Sequence, residues 1–451
     1  MAMGRLSLAS APFLRPLVLR SHVVSPIPKA RTPPRCGFAS TAFKLIPTGD
    51  KCSPNVLYET LEGVERIEHY RPGGYHPIQI GDHLHGRYQV IHKLGHGSYS
   101  TTWLARDDQN NKYVAVKICT SDSDPKEASI LTTLTRPHYP ATSHPGKTML
   151  PSILDSLSIH GPNGEHICYV TSPARASLSD LKDGSWLRLF QLDVARAFAA
   201  QLVLAVDYIH TREFIHGDIH MGNILLKTSR GIDQLSPEQL YEKYGAPELD
   251  PVVHLDGKPL PPGVPSHGIA PIWLGEPSEK VTLPEARILL ADFVNRPPEA
   301  RFEPNKPLSF SSDIWTLACT IWTIIAQRPL FEGFLATEDY MTREHVDTLG
   351  ILPPEWWKRW EARPESFTED GRPIKRNPYR SWGDRFEDSV QQPRQEVGMP
   401  LFDAEERDAI LEMLRPMLAF RPEQRSTTKQ VLESEWMVKW ALSEYEKIRR
   451  G

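Results

Sequence analysis

Eight residues constrain this chain more than any others: His216-Gly217-Asp218-Ile219-His220-Met221-Gly222-Asn223. They carry one carboxylate, one amide and two imidazoles, and apolar residues flank them on both sides (Phe214-Ile215 and Ile224-Leu225-Leu226). Apolar runs bounded by polar turns read as strands, so the chain runs strand, polar loop, strand. The acid and the amide stand five positions apart (223 − 218 = 5). An aspartate in such a loop can take a proton from a hydroxyl, and an amide oxygen near it can ligate a magnesium ion that bridges phosphates. The blander alternative is a polar turn capped by Asp218.

Upstream, RYQVIHKLG and YVAVKIC alternate as antiparallel strands do, and Gly95-His96-Gly97-Ser98-Tyr99-Ser100 lies between them. Backbone N–H groups can approach phosphates closely only where side chains are absent, which Gly95 and Gly97 supply. By itself the turn fits a plain hairpin equally well. Lys117 ends Val114-Ala115-Val116-Lys117 on the second strand, and Glu127 follows ten positions later in DPKEASILTTL. There Ile130, Leu131 and Leu134 share one face of a helix. A lysine held by a carboxylate can reach phosphates, although a solvated strand lysine and an exposed helix acid would look the same. HICYVTSP reads as a further strand ended by Pro173.

Downstream the chain turns helical. Phe198, Leu202, Val206 and Ile209 recur at i, i+4, i+8 and i+11 on one face. The longest apolar stretch, Ile314–Ala326, is shorter than the roughly 20 residues that span a bilayer, so it reads as a buried core helix. Ser311 or Ser312 would cap it. Two segments without helical or strand period read as inserts: a proline-rich one at about 231–280 and a polar, tryptophan-bearing one at about 331–401. Trp356, Trp357 and Trp360 of the second are expected to pack, not to bind ligands.

The net charge of −4 argues against a general nucleic-acid binder, which would be strongly basic. Five scattered cysteines with no CxxC pair suggest reduced thiols, neither a disulfide framework nor a zinc site. Residues 1–49 hold five arginines and no acid. That composition fits a mitochondrial presequence, and equally a disordered basic tail.

The 216–223 loop matches H-x-D-x-x-x-x-N of the protein kinases, and residues 80–440 resemble a fungal serine/threonine kinase of the SR-protein kinase type. Three features resemble that branch. Tyr70-Arg71-Pro72-Gly73-Gly74-Tyr75-His76-Pro77 resembles its lead-in, Gly217 replaces an arginine that most kinases carry, and an insert of 69 positions (292 − 223) separates Asn223 from Asp292. The resemblance implies an α+β, bilobal fold, with a small β-rich N-lobe at 88–174 and a larger, mainly helical C-lobe at 175–440. An extension at 50–87 would precede them and a tail at 441–451 would follow. It implies ATP and Mg2+ as cofactors. Asp218, Lys117 and His220 would be catalytic, and Asn223 with Asp292 would hold the metal. Leu94, Gly95, His96, Gly97, Ser98, Tyr99, Ser100, Thr102, Ala115, Lys117, Glu127, Thr171, Ser172 and Asn223 would line the nucleotide. Glu299, in Pro297-Pro298-Glu299, would pair with Arg425, and Asp313 would open the central large-lobe helix. It further implies transfer of the γ-phosphate to Ser/Thr of a protein substrate rich in Arg and Ser, by a monomer of cytoplasm or nucleus with no direct nucleic-acid contact and no transmembrane segment. In the family the second insert helps to dock arginine-rich substrates; here a solvated charged loop is the simpler expectation.

Two departures stand out. His220 replaces a lysine that contacts the γ-phosphate, so His216–Asn223 also looks like the loop of aminoglycoside and choline phosphotransferases, which are active with histidine there. A small-molecule phosphotransferase is therefore a third reading, opposed by Glu299, Asp313 and Arg425. Asp292 and Glu299 are only seven positions apart (299 − 292 = 7), and Val294 replaces the glycine of D-F-G. Seven residues span at most about 25 Å. That bridges the two landmarks but leaves no platform for a peptide. Either an exon is missing or the segment shortened naturally. In the second case the alternative function is a catalytically impaired pseudokinase or scaffold that retains ATP binding.

Overall fold

The computed structural model describes residues 56–124, 126–136, 144–228, 231–291, 299–333, 337–376 and 380–450. The arginine-bearing segment 1–49, Asp292, Val294, Pro297 and Pro298 lie outside them.

The alternating segments form a six-stranded antiparallel sheet: β1 (His83–Leu84), β2 (Tyr88–Gly97), β3 (Ser100–Asp107), β4 (Lys112–Cys119), β5 (Asp155–Gly161) and β6 (Gly164–Thr171), in the order β1-β2-β3-β4-β6-β5. Successive side chains point to opposite faces of a strand. Val114, Val116 and Ile118 accordingly share one buried cluster with Trp103, Cys168 and Val170, while Lys117 takes the other face. Two register shifts interrupt β2, at Val90/His92 and Lys93/Gly95, the second at the start of the glycine turn. Such bulges bend a strand and sharpen its twist.

Glu127 sits on α1 (Lys126–Thr135), whose Leu131 and Leu134 are buried and whose Ile130 is half-buried, as the spacing predicts. Past Ser172 and Pro173 the chain enters the second lobe through β7 (Ala174–Ser177) and α2 (Leu178–Asp183), then α3 (Leu192–Thr211). Phe198, Leu202, Val206 and Ile209 of α3 are fully buried. β8 (Ile224–Lys227) leaves the 216–223 loop and lies in a 3-stranded sheet between β7 and the later strand Ile288–Leu290.

The first insert carries regular elements although its sequence shows no helical or strand period. It contains α4 (Pro237–Tyr244), closed by a Ser236–Gln239 capping box, and a small hairpin of β9 (Leu249–Pro251) and β10 (His267–Ile269), before β11 (Ile288–Leu290). Leu240, Ile272 and Leu274 pack with Ile91, Leu104 and Tyr113 of the small lobe, and Ile269 joins the cluster on the opposite face. The insert thus grips the β2 side of the small lobe from both faces, and Ile272 N–H bonds Lys93 O at 2.8 Å.

The second lobe continues with α5 (Glu299–Phe302) and α6 (Phe310–Ile325). α6 is the buried core helix expected from its composition, but its cap is Ser309, whose N–H donates to Ser312 Oγ at 3.1 Å. In the second insert Trp356, Trp357 and Trp360 pack with Phe302, Val346 and Phe367, as expected. Several of its acids pair with arginines: Asp339 with Arg301, Asp347 with Arg376, Glu332 and Asp388 with Arg380. It is folded, not a solvated loop. No helix among the described residues is long and apolar enough to cross a membrane.

Candidate active site

The register of the small sheet assembles the roof of a cleft. Gly95, Thr102, Lys117 and Tyr169 stand opposite one another across four strands, and Leu104, Ala115 and Thr171 form the next rung. Lys117 Nζ lies 2.8 Å from Glu127 Oε2 and 5.6 Å from the centre of the Tyr169 ring. Burial pushes the Tyr169 phenol well above its ordinary range, so it stays protonated beside the pair. α1 is fixed from the other lobe: Tyr208 Oη and Arg212 of the α3 end donate to Leu134 O, and Arg212 also to Thr133 O at 3.0 Å. The helix that carries Glu127 is thereby held against the large lobe.

A Cβ added at Gly95 or Gly97 would meet no protein atom within 4 Å. The space beside both residues is open, which suits close approach by phosphates. Leu94 packs partly into the cluster formed with the insert, Ser100 is buried, Ser98, Tyr99 and Ser172 are exposed, and Thr102 and Thr171 are half-buried. The His96 ring turns toward the N-terminal extension, 3.3 Å from Gly63 O.

In the large lobe the 216–223 loop is built around Asp313, which is fully buried near the start of α6. Its Oδ2 accepts from His216 N at 2.8 Å and its Oδ1 from Gly217 N at 2.7 Å, while His210 Nε2 lies 2.9 Å from Oδ2. Gly217 has φ +76°, a left-handed conformation that glycine adopts without the Cβ penalty of other residues. That backbone turn puts two successive N–H groups on one carboxylate. The sequence shows this position only as a lost arginine; its backbone role is a structural finding.

Asp218 N donates to His216 Nδ1 at 3.1 Å, and Asn223 Nδ2 donates to Asp218 O at 3.0 Å. The second contact orients the Asn223 amide with its oxygen as the acceptor end. Gly222 N donates to His220 Nδ1 at 3.0 Å, so the neutral ring carries its hydrogen on Nε2, 3.4 Å from Asp218 Oδ1. Asp218 Oδ1 is buried and makes no hydrogen bond of good geometry, the His220 ring at 3.4 Å being its polar neighbour. A buried carboxylate oxygen without a well-formed hydrogen bond is costly, and receipt of a proton is one role that such an atom can serve. Ala291, next to Asp292, bonds through its N–H to Asn223 O at 2.8 Å.

Glu299 and Arg425 meet as the resemblance implies, in a bidentate pair at 3.0 and 2.7 Å. Arg425 also donates to the carbonyls of Ser311, Ala419 and Phe420, and its guanidinium lies 4.9 Å from the Trp315 ring centre. The sequence did not single out His210, the third partner of Asp313. Its place in the last turn of the apolar α3 is a signal that could have done so, because Ile209 beside it is buried.

A family model described as protein kinase domain matches residues 88–233, from β2 through the 216–223 loop. A serine/threonine protein kinase of Aspergillus fumigatus is 25% identical over 417 residues, covering 88% of this chain and 98% of that protein. The serine/threonine-protein kinase SRPK of Physarum polycephalum is 27% identical over 406 residues, covering 83% and 91%. SRSF protein kinase 3 of Mus musculus is 32% identical over 200 residues, 42% of this chain and 35% of that protein. These relatives favour a kinase over a nucleotide-binding scaffold. A β-rich small lobe on a helical large lobe, a Lys117–Glu127 pair and kinase relatives along most of its length support a serine/threonine protein kinase similar to the SR-protein kinases.

Proposed function

We propose that the chain binds ATP with Mg2+ and transfers the γ-phosphate to serine or threonine hydroxyls in Arg/Ser-rich proteins. Protein kinases as a family use ATP and Mg2+, and the residues here fit both. Gly95 and Gly97 leave room for phosphates, Lys117 offers an ammonium steadied by Glu127, and Asn223 presents an amide oxygen. Asn223 and Asp292 are the residues that would hold magnesium, which when bound supplies positive charge to the phosphate oxygens. Asp218 accepts the proton of the substrate hydroxyl. His220 stands in the place of the usual γ-phosphate lysine, with Nε2 toward Asp218. The preference for Arg/Ser-rich substrates rests on the names of the relatives and on the chain's net negative charge.

The observation that carries this reading is Asp218 Oδ1, buried and without a hydrogen bond of good geometry, on a loop pinned at its two preceding N–H groups by Asp313. The test is label transfer from γ-labelled ATP to an Arg/Ser-repeat peptide. Asp218→Asn is expected to lower the rate at least about 100-fold, the scale of general-base loss. Equal signals from wild type and variant would end the reading.

A further inference from the structure

The N-terminal extension does more than precede the small lobe. Tyr58, Ile67, Tyr70 and Tyr75 form a buried cluster with Val252 and Val264 of the first insert. Polar links at several points join this cap to the small lobe. Glu65 forms an ion pair with Lys93, two positions before Gly95, and accepts from Tyr70 Oη; both charged side chains are almost fully buried. Asn163 Nδ2, on the β5–β6 turn, donates to Tyr75 O and to Gly263 O, each at 2.7 Å. The Gly73-Gly74 turn accepts from Asp122 N at 2.8 Å and from Ser121 N at 3.1 Å, at the end of β4 and ahead of α1. A Cβ at Gly74 would lie 1.9 Å from His69 O, so the turn closes only with glycine there.

From this platform one side chain reaches the tip of the glycine turn: Tyr75 Oη donates to Gly97 O. Tyr75 is 3% exposed, and burial, with the Glu65 charge second, pushes its phenol up to about 12, so the hydroxyl remains a donor at neutral pH. Ile78, three residues on, packs with Val116 and Ile118 on the sheet face opposite Lys117. The peptide group between Gly97 and Ser98 is planar and trans, so its N–H points opposite to its C=O. Holding that oxygen therefore fixes the Ser98 N–H in a direction away from Tyr75.

We propose that Tyr75 is a positioning residue for nucleotide: its hydroxyl, by fastening the Gly97 carbonyl, sets the Ser98 N–H to donate to the phosphates of ATP. This rests on the reading of the glycine turn as the phosphate-binding element. Glycines allow the close approach but also many conformations, and ordering them costs binding energy. A tether already made in the free protein removes part of that cost.

The experiment measures binding of two probes to the full chain by calorimetry: a non-hydrolysable ATP analogue with Mg2+, and adenosine, which has no phosphates. Tyr75→Phe keeps the ring and removes the hydroxyl. It is expected to weaken the analogue about fivefold, the scale of re-ordering one freed backbone residue, and to leave adenosine binding unchanged, with a small fall in the urea midpoint from the lost buried hydrogen bond. Ser98→Pro removes the N–H by another route. It should show the same selective loss, and Tyr75→Phe should add nothing in its background. Equal weakening of both probes, no weakening of either, or additive losses would overturn the proposal. A wild-type chain that binds neither probe sinks the nucleotide reading itself, and the proposal with it.

Discussion

Lys117 and Glu127 keep 18% and 25% of their side-chain surface in solvent, whereas Arg425 and Glu299 keep 0% and 10%. Both contacts are short, yet their surroundings differ. The small-lobe pair stands one strand from Gly95 across Thr102, and Lys117 meets one aromatic ring at 5.6 Å. The large-lobe pair is bidentate, and three backbone carbonyls and the Ser312 hydroxyl complete its hydrogen bonds. One pair keeps part of its charge in contact with solvent, and the other is enclosed by the fold. The same contrast holds between Asp218, with a buried oxygen that makes no well-formed hydrogen bond, and Asp313, whose two oxygens accept from His216 N and Gly217 N.

The sharpest way to break the comparison is to swap what each pair can lose. Arg425→Ala leaves Glu299 buried without its partner and is expected to cost about 3–5 kcal/mol in urea unfolding. The double variant Glu299→Leu/Arg425→Met should recover most of that loss, because an apolar pair of similar volume avoids the desolvation of two charges. If the double variant stays as unstable as the single one, the pair does more than fill and neutralise its site.

Lys117→Met makes the opposite pattern. A partly exposed ion pair contributes at most about 1 kcal/mol, so the unfolding midpoint should barely move. Phosphate transfer should fall about 100-fold or more, as when one preorganised electrostatic group is removed from an active site. Here the paired change Lys117→Met/Glu127→Leu should rescue nothing. Recovery of transfer in that double variant would place Lys117 among the structural charges.

The polar loop was legible because its flanking residues alternate with turn residues locally, and because Asp218, Asn223 and Asp313 are types with few bland uses at those positions. The glycine turn and Lys117 gained meaning only from each other's spacing. The first insert was not legible. Leu240, Ile272 and Leu274 have no period of their own, since their partners Ile91, Leu104 and Tyr113 lie more than 120 positions away (240 − 113 = 127). Tyr75 stood inside a recognisable motif, yet its bond goes to a backbone carbonyl, which no side-chain pattern encodes. Gly217 likewise read as a missing charge and proved to be a backbone requirement.

The smallest expected effect tests the same division by pH. His92 on β2 is 4% exposed, its Nδ1 accepts from Lys93 N at 2.8 Å, and burial pushes its imidazole down to about 4. In the large lobe burial, followed by the Arg301 and Arg425 charges, pushes His345 down to about 3, where it packs edge-on against the Trp315 and Phe331 rings. Both are therefore neutral in the folded state where the unfolded chain is already charged. The unfolded state binds more protons between about 6.5 and the folded value, so stability rises with pH across that window and falls on acidification. From pH 7 to pH 5 the loss should be about 1–2 kcal/mol for each histidine. His92→Gln should flatten that part of the urea-midpoint profile. It should leave the neutral-pH rate of phosphate transfer intact, since His92 belongs to the fold and not to the cleft. A profile that keeps its full slope in His92→Gln would show that the acid sensitivity resides elsewhere, with His345→Phe the next variant to flatten it.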